Sequence, residues 1–123
     1  MPSAEVLAHF IRRVESNAHV EAVAEFYATD CLVTENQNPP RRGRDSQVAA
    51  ESNLLAKASS ITSVCLQPPI SMGDNVVIRW LFDFCWRDGT RTKLEEISLQ
   101  RWEQDRIVEE TFFYDPSQLV PKP

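Results

Sequence analysis

The chain has 123 residues, 42% of them hydrophobic and 25% charged, with three glycines and eight prolines. That profile fits one ordinary globular domain spanning residues 1–123 and excludes dominant disorder. A net charge of −5 speaks against a nucleic-acid partner, which needs a basic stripe to displace counterions.

No apolar run approaches the length of a membrane span, since Arg79 and Asp83 cut the longest ones. The first residues also lack the uninterrupted apolar core of a secretory signal, because Glu5, Arg12 and Arg13 interrupt them. Cys31, Cys65 and Cys85 are odd in number and have no Cys-x-x-Cys spacing. They read as small apolar residues in a reducing compartment, so the expected address is the cytoplasm.

In chain order, Ser3 can cap a first helix whose stripe is Val6, Leu7, Phe10, Ile11 and Val14. Asn17 offers a cap for a second helix, with Val20, Val23, Ala24 and Tyr27 inward. Cys31–Glu35 is rich in strand formers. Asn36–Arg42, with Pro39-Pro40, is expected to be loop. Asp45 is the expected cap of a third helix with Val48, Ala49, Ser52, Leu55 and Ala56 on one side.

From Ser60 the period becomes two. Strands are expected at Ile61–Leu66, Val76–Trp86, Arg91–Trp102 and Ile107–Tyr114. Arg87-Asp88-Gly89-Thr90 and Glu103–Arg106 supply the turns. Residues 116–123 read as a loose tail. Helices followed by an antiparallel meander predict an α+β fold with the helices on one sheet face.

Alternation puts Val76, Ile78, Trp80, Phe82, Phe84 and Trp86 on the helix-facing side of the long strand. In register, the next strand adds Leu94, Glu96, Ser98, Gln100 and Trp102. The last adds Val108, Glu110, Phe112 and Tyr114, whether Trp102 lies opposite Arg106 or Val108. Glutamates, a serine and a glutamine on a core-facing side require either a slipped face or a cavity. A slip would turn Ile97 and Leu99 inward. A cavity lined by aromatics with a few polar groups has the makeup of a small-molecule site. In that case Leu81, Ile97, Leu99 and Phe113 form an outer patch, with Arg79, Asp83, Glu95 and Arg101 placed to cross-pair in a homodimer.

Two stretches carry a resemblance. Residues 21–35, followed by Pro39-Pro40 and Gly43-Arg44-Asp45, form the first; Leu99-Gln100-Arg101-Trp102, Arg106–Glu110 and Phe113-Tyr114-Asp115 form the second. Together they resemble the nuclear transport factor two-like superfamily, in its branch of SnoaL-like polyketide cyclases and ketosteroid isomerases. The resemblance implies a cone: three N-terminal helices on a curved sheet, mostly antiparallel but mixed, around an apolar pocket. It also implies dimers through the outer sheet face.

For the site, the family base falls at Thr34-Glu35-Asn36, so Glu35 and Asn36 compete for it. The isomerase tyrosine corresponds to Phe10 and the isomerase acid to Ser98, neither of which can do that work. The cyclase acid/base carboxylate then has Glu35, Glu96 and Glu110 as candidates.

Among the other residues, His9 stands beside the first helix stripe, as a half-buried side chain or a pocket proton shuttle. His19 reads as surface. Two histidines without His-x-x-x-His or Cys-His spacing predict no metal, and three glycines predict no phosphate loop. Arg41, Arg42 and Arg44 either pair with surface carboxylates or catch an anion at the mouth.

The expected function is a cofactor-independent isomerase, cyclase or lyase moving a proton on a hydrophobic small molecule. The alternative is a ligand-binding or protein-interaction module without catalysis. The sharpest expectation concerns Glu110: beside Phe112 and Tyr114, and opposite Ser98 or Gln100, its carboxyl should be desolvated and its pKa raised. It is then either an acid/base or a satisfied buried polar group.

Overall fold

A computed structural model describes residues 1–123. Helix α1 (Ala4–Glu15) starts where the Ser3 hydroxyl accepts from the Val6 amide, and it buries Leu7, Phe10 and Val14. Helix α2 (His19–Phe26) is followed without a loop by strand β1 (Tyr27–Glu35). The short β2 (Arg41–Arg42) leads to α3 (Arg44–Ala56). Strands β3 (Ala58–Cys65), β4 (Ile70–Met72), β5 (Asn75–Trp86), β6 (Arg91–Glu103) and β7 (Arg106–Phe113) complete the sheet. A 3-10 helix, Pro116–Leu119, ends the chain.

The sheet runs β2-β1-β7-β6-β5-β3, with β4 also on β5. Only β1 and β7 pair in parallel, so the sheet is mixed. The Arg87–Thr90 turn forms as expected: Gly89 takes φ +89° and the Asp88 carboxylate accepts from the Thr90 amide and hydroxyl. The second turn is tight because Gln104 and Asp105 both adopt left-handed backbone, at φ 48° and 62°.

The face assignment of the meander holds. Leu94, Glu96, Ser98, Gln100 and Trp102 are all buried, while Ile97 and Leu99 stay 36% and 40% exposed. No slip occurs. One detail differs: a bulge after Arg101 sets Trp102 against Ile107, not Arg106 or Val108. Ile107 therefore enters the core where Val108 was expected, and Val108 is half-buried.

Five expectations about the helices and the tail are corrected. The second helix turns His19, Ala22, Val23 and Phe26 inward, so Ala24 is exposed and His19 is buried. Tyr27 belongs to β1. The cap of α3 is Gly43, not Asp45; its φ of +100° is strained for any other residue, and its amide donates to the Cys31 carbonyl at 2.7 Å. Helix α3 faces inward with Gln47, Ala50, Glu51 and Leu54, leaving Ala49, Ser52 and Ala56 exposed.

The tail is docked: the Gln118 amide group accepts from Glu95 N at 3.0 Å and donates to Glu95 O at 3.1 Å, while Arg91 and Lys122 form a bridge. It continues along β6 where β7 stops, satisfying a sheet edge that would otherwise be bare.

Candidate functional site

Helices and sheet do not close on each other completely. Between them lies a cavity of about 340 Å³. Its apolar wall comes from α1 and α2 (Phe10, Val14, Val23) and from β5, where alternation delivers Trp80, Phe82, Phe84 and Trp86 in a row. Phe84 and Trp86 stack at 4.9 Å, and Trp80 and Phe82 at 5.6 Å. The Trp86 indole N–H is spent on the Thr92 hydroxyl at 2.7 Å, so this end of the wall presents ring faces. Leu54 of α3 and Leu119 of the terminal helix complete the lining.

Four carboxyls lie among the polar lining, with Arg41, His19, Gln47, Tyr27 and Thr92. Glu35, Glu51, Glu96 and Glu110 reach it from β1, α3, β6 and β7. Each has a different environment.

Glu110 is 2% exposed and saturated with donors. The Tyr27 hydroxyl donates to its Oε1 in a very short bond, and Ser98 and Gln100 donate to Oε2 at 2.6 and 2.7 Å. Gln100 is itself held by the Trp102 indole N–H, which donates to its Oε1 at 2.9 Å and so turns the amide NH₂ toward Glu110. Burial raises the Glu110 pKa, and the three hydrogen bonds draw it back only in part. The structure places Ser98 and Gln100 behind Glu110 rather than on the cavity surface.

Glu96 is the opposite case. It pairs across the ladder with Trp80 and is 8% exposed. No donor in the protein reaches its carboxyl. Burial, then the charges of Glu110, Glu35 and Glu51, hold its pKa well above the usual carboxylate range.

Glu51 accepts from Gln47 Nε2 at 3.2 Å and lies 3.9 Å from His19 Nδ1. Burial and the Glu110 charge push it up to about 7, against the pull of Gln47 and Arg41. His19 is no counterion, since burial lowers its pKa; its Nε2 meets the Ser63 hydroxyl at 2.9 Å.

Glu35 follows Cys31 and Val33 on the inward face of β1. Its Oε1 accepts from the Tyr114 hydroxyl at 2.7 Å, and its Oε2 lies 3.8 Å from Arg41. Burial and the Glu35 carboxylate raise the Tyr114 pKa.

The expected residues thus separate. Glu35, Glu96, Glu110, Phe10, Trp80, Phe82, Phe84 and Phe112 line one cavity. Asn36 does not: at φ 53° it makes the turn after β1, donating its amide to the Phe112 carbonyl and accepting from Tyr114 N at its side chain. That staple holds Asn36 in the turn, away from the cavity. His9 and Tyr114 are also outside the lining: His9 stands edge-on to Phe26 with its Nδ1 3.7 Å from Glu25, and Tyr114 reaches the site only through its hydroxyl on Glu35.

Arg41 is committed to Gln47, at 2.9 and 2.6 Å, and to Glu35, while Arg44 reaches the Tyr27 carbonyl. Arg42 is exposed, and no side-chain partner holds it. On the outer face, Arg79–Glu95, Arg91–Asp83 and Arg101–Glu109 pair within the chain.

Tyr27, His19, Gln47 and Glu51 are the site residues that the sequence did not yield. Glu51 stands one helical turn from Gln47, a polar pair on a helix whose apolar residues form no clean stripe. No three carboxyl, imidazole or thiol groups converge on a point fit for a metal ion.

A curved mixed sheet with three helices over an aromatic cavity defines the SnoaL-like architecture. The chain belongs to the SnoaL-like domain family, whose model matches residues 7–110. Among solved structures it is similar to a SnoaL-like polyketide cyclase from Mesorhizobium loti, at 20% identity and a TM-score of 0.77, over 93% of this chain and 100% of that one. It is also similar to a nuclear transport factor two-like protein of unknown function from Burkholderia pseudomallei, at 14% identity and a TM-score of 0.79, over 94% and 92%. A third is a protein of ketosteroid isomerase-like fold from Catenulispora acidiphila, in complex with trimethylamine, at 14% identity and a TM-score of 0.78, over 96% and 91%. No curated protein matches. At these identities the structures share the fold with this chain, and function must be argued from the site.

Proposed function

We propose that this single-domain protein is a cofactor-independent isomerase, cyclase or lyase that moves a proton on a small molecule with an apolar body. The observation that carries this reading is the unlike setting of two cavity carboxyls: Glu96 has no protein donor and burial holds its pKa well above the usual carboxylate range, while Glu35 is tied to Tyr114 and Arg41. An acid that keeps its proton, beside a carboxyl placed to accept one, supplies both halves of acid–base catalysis.

In the proposed step, Glu35 takes the proton from a carbon next to a carbonyl. The C–H electron pair moves into the carbonyl, and protonated Glu96 donates to the oxygen where charge gathers. Return of the proton at another carbon gives isomerisation; attack by the enolate carbon on a second carbonyl gives cyclisation. Glu110 serves as scaffold, because its hydrogen-bonding capacity is already taken within the protein.

The test uses α-tetralone in D2O, followed by proton NMR. Deuterium entering the carbon beside the carbonyl faster than in buffer, and no faster than in buffer with Glu35→Gln, is expected. Binding without any exchange would reduce the protein to a carrier.

We also propose a homodimer through the outer sheet face. The charges there are already paired within the chain, and what remains is the apolar row Ile97, Leu99 and Phe113, with Leu81 beside it. Free thiols at Cys31, Cys65 and Cys85 agree with a reducing, cytoplasmic setting.

A further inference from the structure

Four carboxyls line the cavity, and only one permanent cation does. Arg41 is spent on Glu35 and on the Gln47 oxygen. Glu110 has three donors in place of a counterion. Glu51 has one amide donor and a neutral imidazole. Glu96 has nothing: it is more than nine-tenths buried, lines the cavity, and no protein donor reaches it.

An unpartnered buried carboxyl is costly in a finished core. It is explicable where a ligand brings the missing partner. Next to Glu96 stands the ring of Trp80, stacked with Phe82 on the same strand. Aromatic faces attract cations through their quadrupole, and they do so best when water is excluded. No three carboxyl, imidazole or thiol groups converge to hold a metal ion, so the cation in question is an organic one.

We propose that the ligand of this cavity is an organic ammonium, with its charged head between Glu96 and the Trp80 ring and its apolar body along Phe82, Phe84 and Trp86. This rests on the reading that the cavity is a small-molecule site, not on the proton-donor role given to Glu96 for a carbonyl substrate, which an ammonium ligand replaces with that of counterion. The protonation pattern agrees. The empty cavity is relieved of charge by protons on Glu96 and partly on Glu51, and a bound cation would displace them. Affinity should therefore rise with pH as those protons leave.

The experiment compares benzyltrimethylammonium with its uncharged carbon counterpart, neopentylbenzene, by tryptophan fluorescence. A quaternary head has no proton of its own, so any pH dependence belongs to the protein. At about pH 8 the ammonium should bind at least about tenfold tighter than the hydrocarbon. Between about pH 8 and about pH 5.5 its affinity should fall severalfold while that of the hydrocarbon stays level. Glu96→Gln should bring the two ligands to equal affinity.

If that variant fails to fold, calorimetry of the wild type in two buffers of different ionisation enthalpy reads the same property. Proton release on ammonium binding supports the inference, and its absence overturns it. Equal binding of both probes by the wild type also overturns it, and leaves the small-molecule site standing. Failure of both probes while α-tetralone binds has the same meaning. If α-tetralone fails as well, the underlying site reading falls too.

Discussion

Glu51 offers a test of the cavity electrostatics that needs no ligand. Its carboxyl is pushed from 4.5 to about 7, with burial as the largest cause and the Glu110 charge next. A raised carboxyl binds its proton more tightly in the folded state. Stability should therefore be unaffected by this group below pH 4.5, fall as pH rises toward 7, and level off above it. The integrated cost for these two values is about 2 kcal/mol at about pH 6 and about 3 kcal/mol at about pH 8. Glu51→Gln keeps an oxygen for the Gln47 amide and removes the titration. The variant should match the wild type near about pH 4.5 and exceed its stability by up to about 3 kcal/mol at about pH 8. Urea denaturation of both proteins across that range reads the difference directly. A gap that does not change with pH, or a variant less stable than the wild type at the alkaline end, would refute the argument.

Tyr27→Phe removes one of three donors to the buried Glu110 carboxyl, and should cost about 1–3 kcal/mol in the same denaturation assay. Ending the chain after Asp115 frees the Glu95 amide and carbonyl from Gln118 and takes Leu119 from the cavity lining. Amide hydrogen exchange at Glu95 should then accelerate, and a bound ligand should leave faster. Leu99→Asp places a charge in the apolar row of the outer face and should convert the proposed dimer to a monomer in sedimentation at micromolar concentration; a wild type that sediments as a monomer would end that proposal.

The sheet was legible because a strand has one fixed period. Once Trp80, Phe82 and Phe84 were placed inward, pairing carried Glu96, Ser98, Gln100 and Glu110 to the same side, polar or not. That parity found two of the four cavity carboxyls, Glu96 and Glu110; Glu35 came from the family resemblance. Glu51 escaped because a helix has no such constraint: with apolar residues scattered around α3, the inward face is chosen by what the cavity accepts, and it accepted Gln47 and Glu51. Tyr27 escaped for another reason. The helix passes into β1 without a loop, so no turn residue marks where the period changes. The bulge after Arg101 was equally invisible, since no glycine announces it; Gln100 and Glu110 pair as expected, and only Trp102 and its neighbours shift.

The polar stripe of β6 and β7 now divides into two kinds of residue with different physical reasons to exist. Ser98, Gln100 and Trp102 form a closed set around Glu110, in which each donor has an acceptor, so the set can be buried at modest cost without any ligand. Glu96 lies two residues along the same strand face and belongs to no such set. The resemblance implied an acid at Ser98 and a tyrosine at Phe10, and neither residue can do that work. Moving two residues along a strand keeps a side chain on the same face and shifts it by roughly 6–7 Å. A carboxyl at Glu96 can therefore face the same cavity as one at Ser98 would, nearer the aromatic wall of β5. In the proposed proton transfer, Glu96 stands in for the donors missing at Ser98 and Phe10, because burial holds its pKa well above the usual carboxylate range and it lines the cavity.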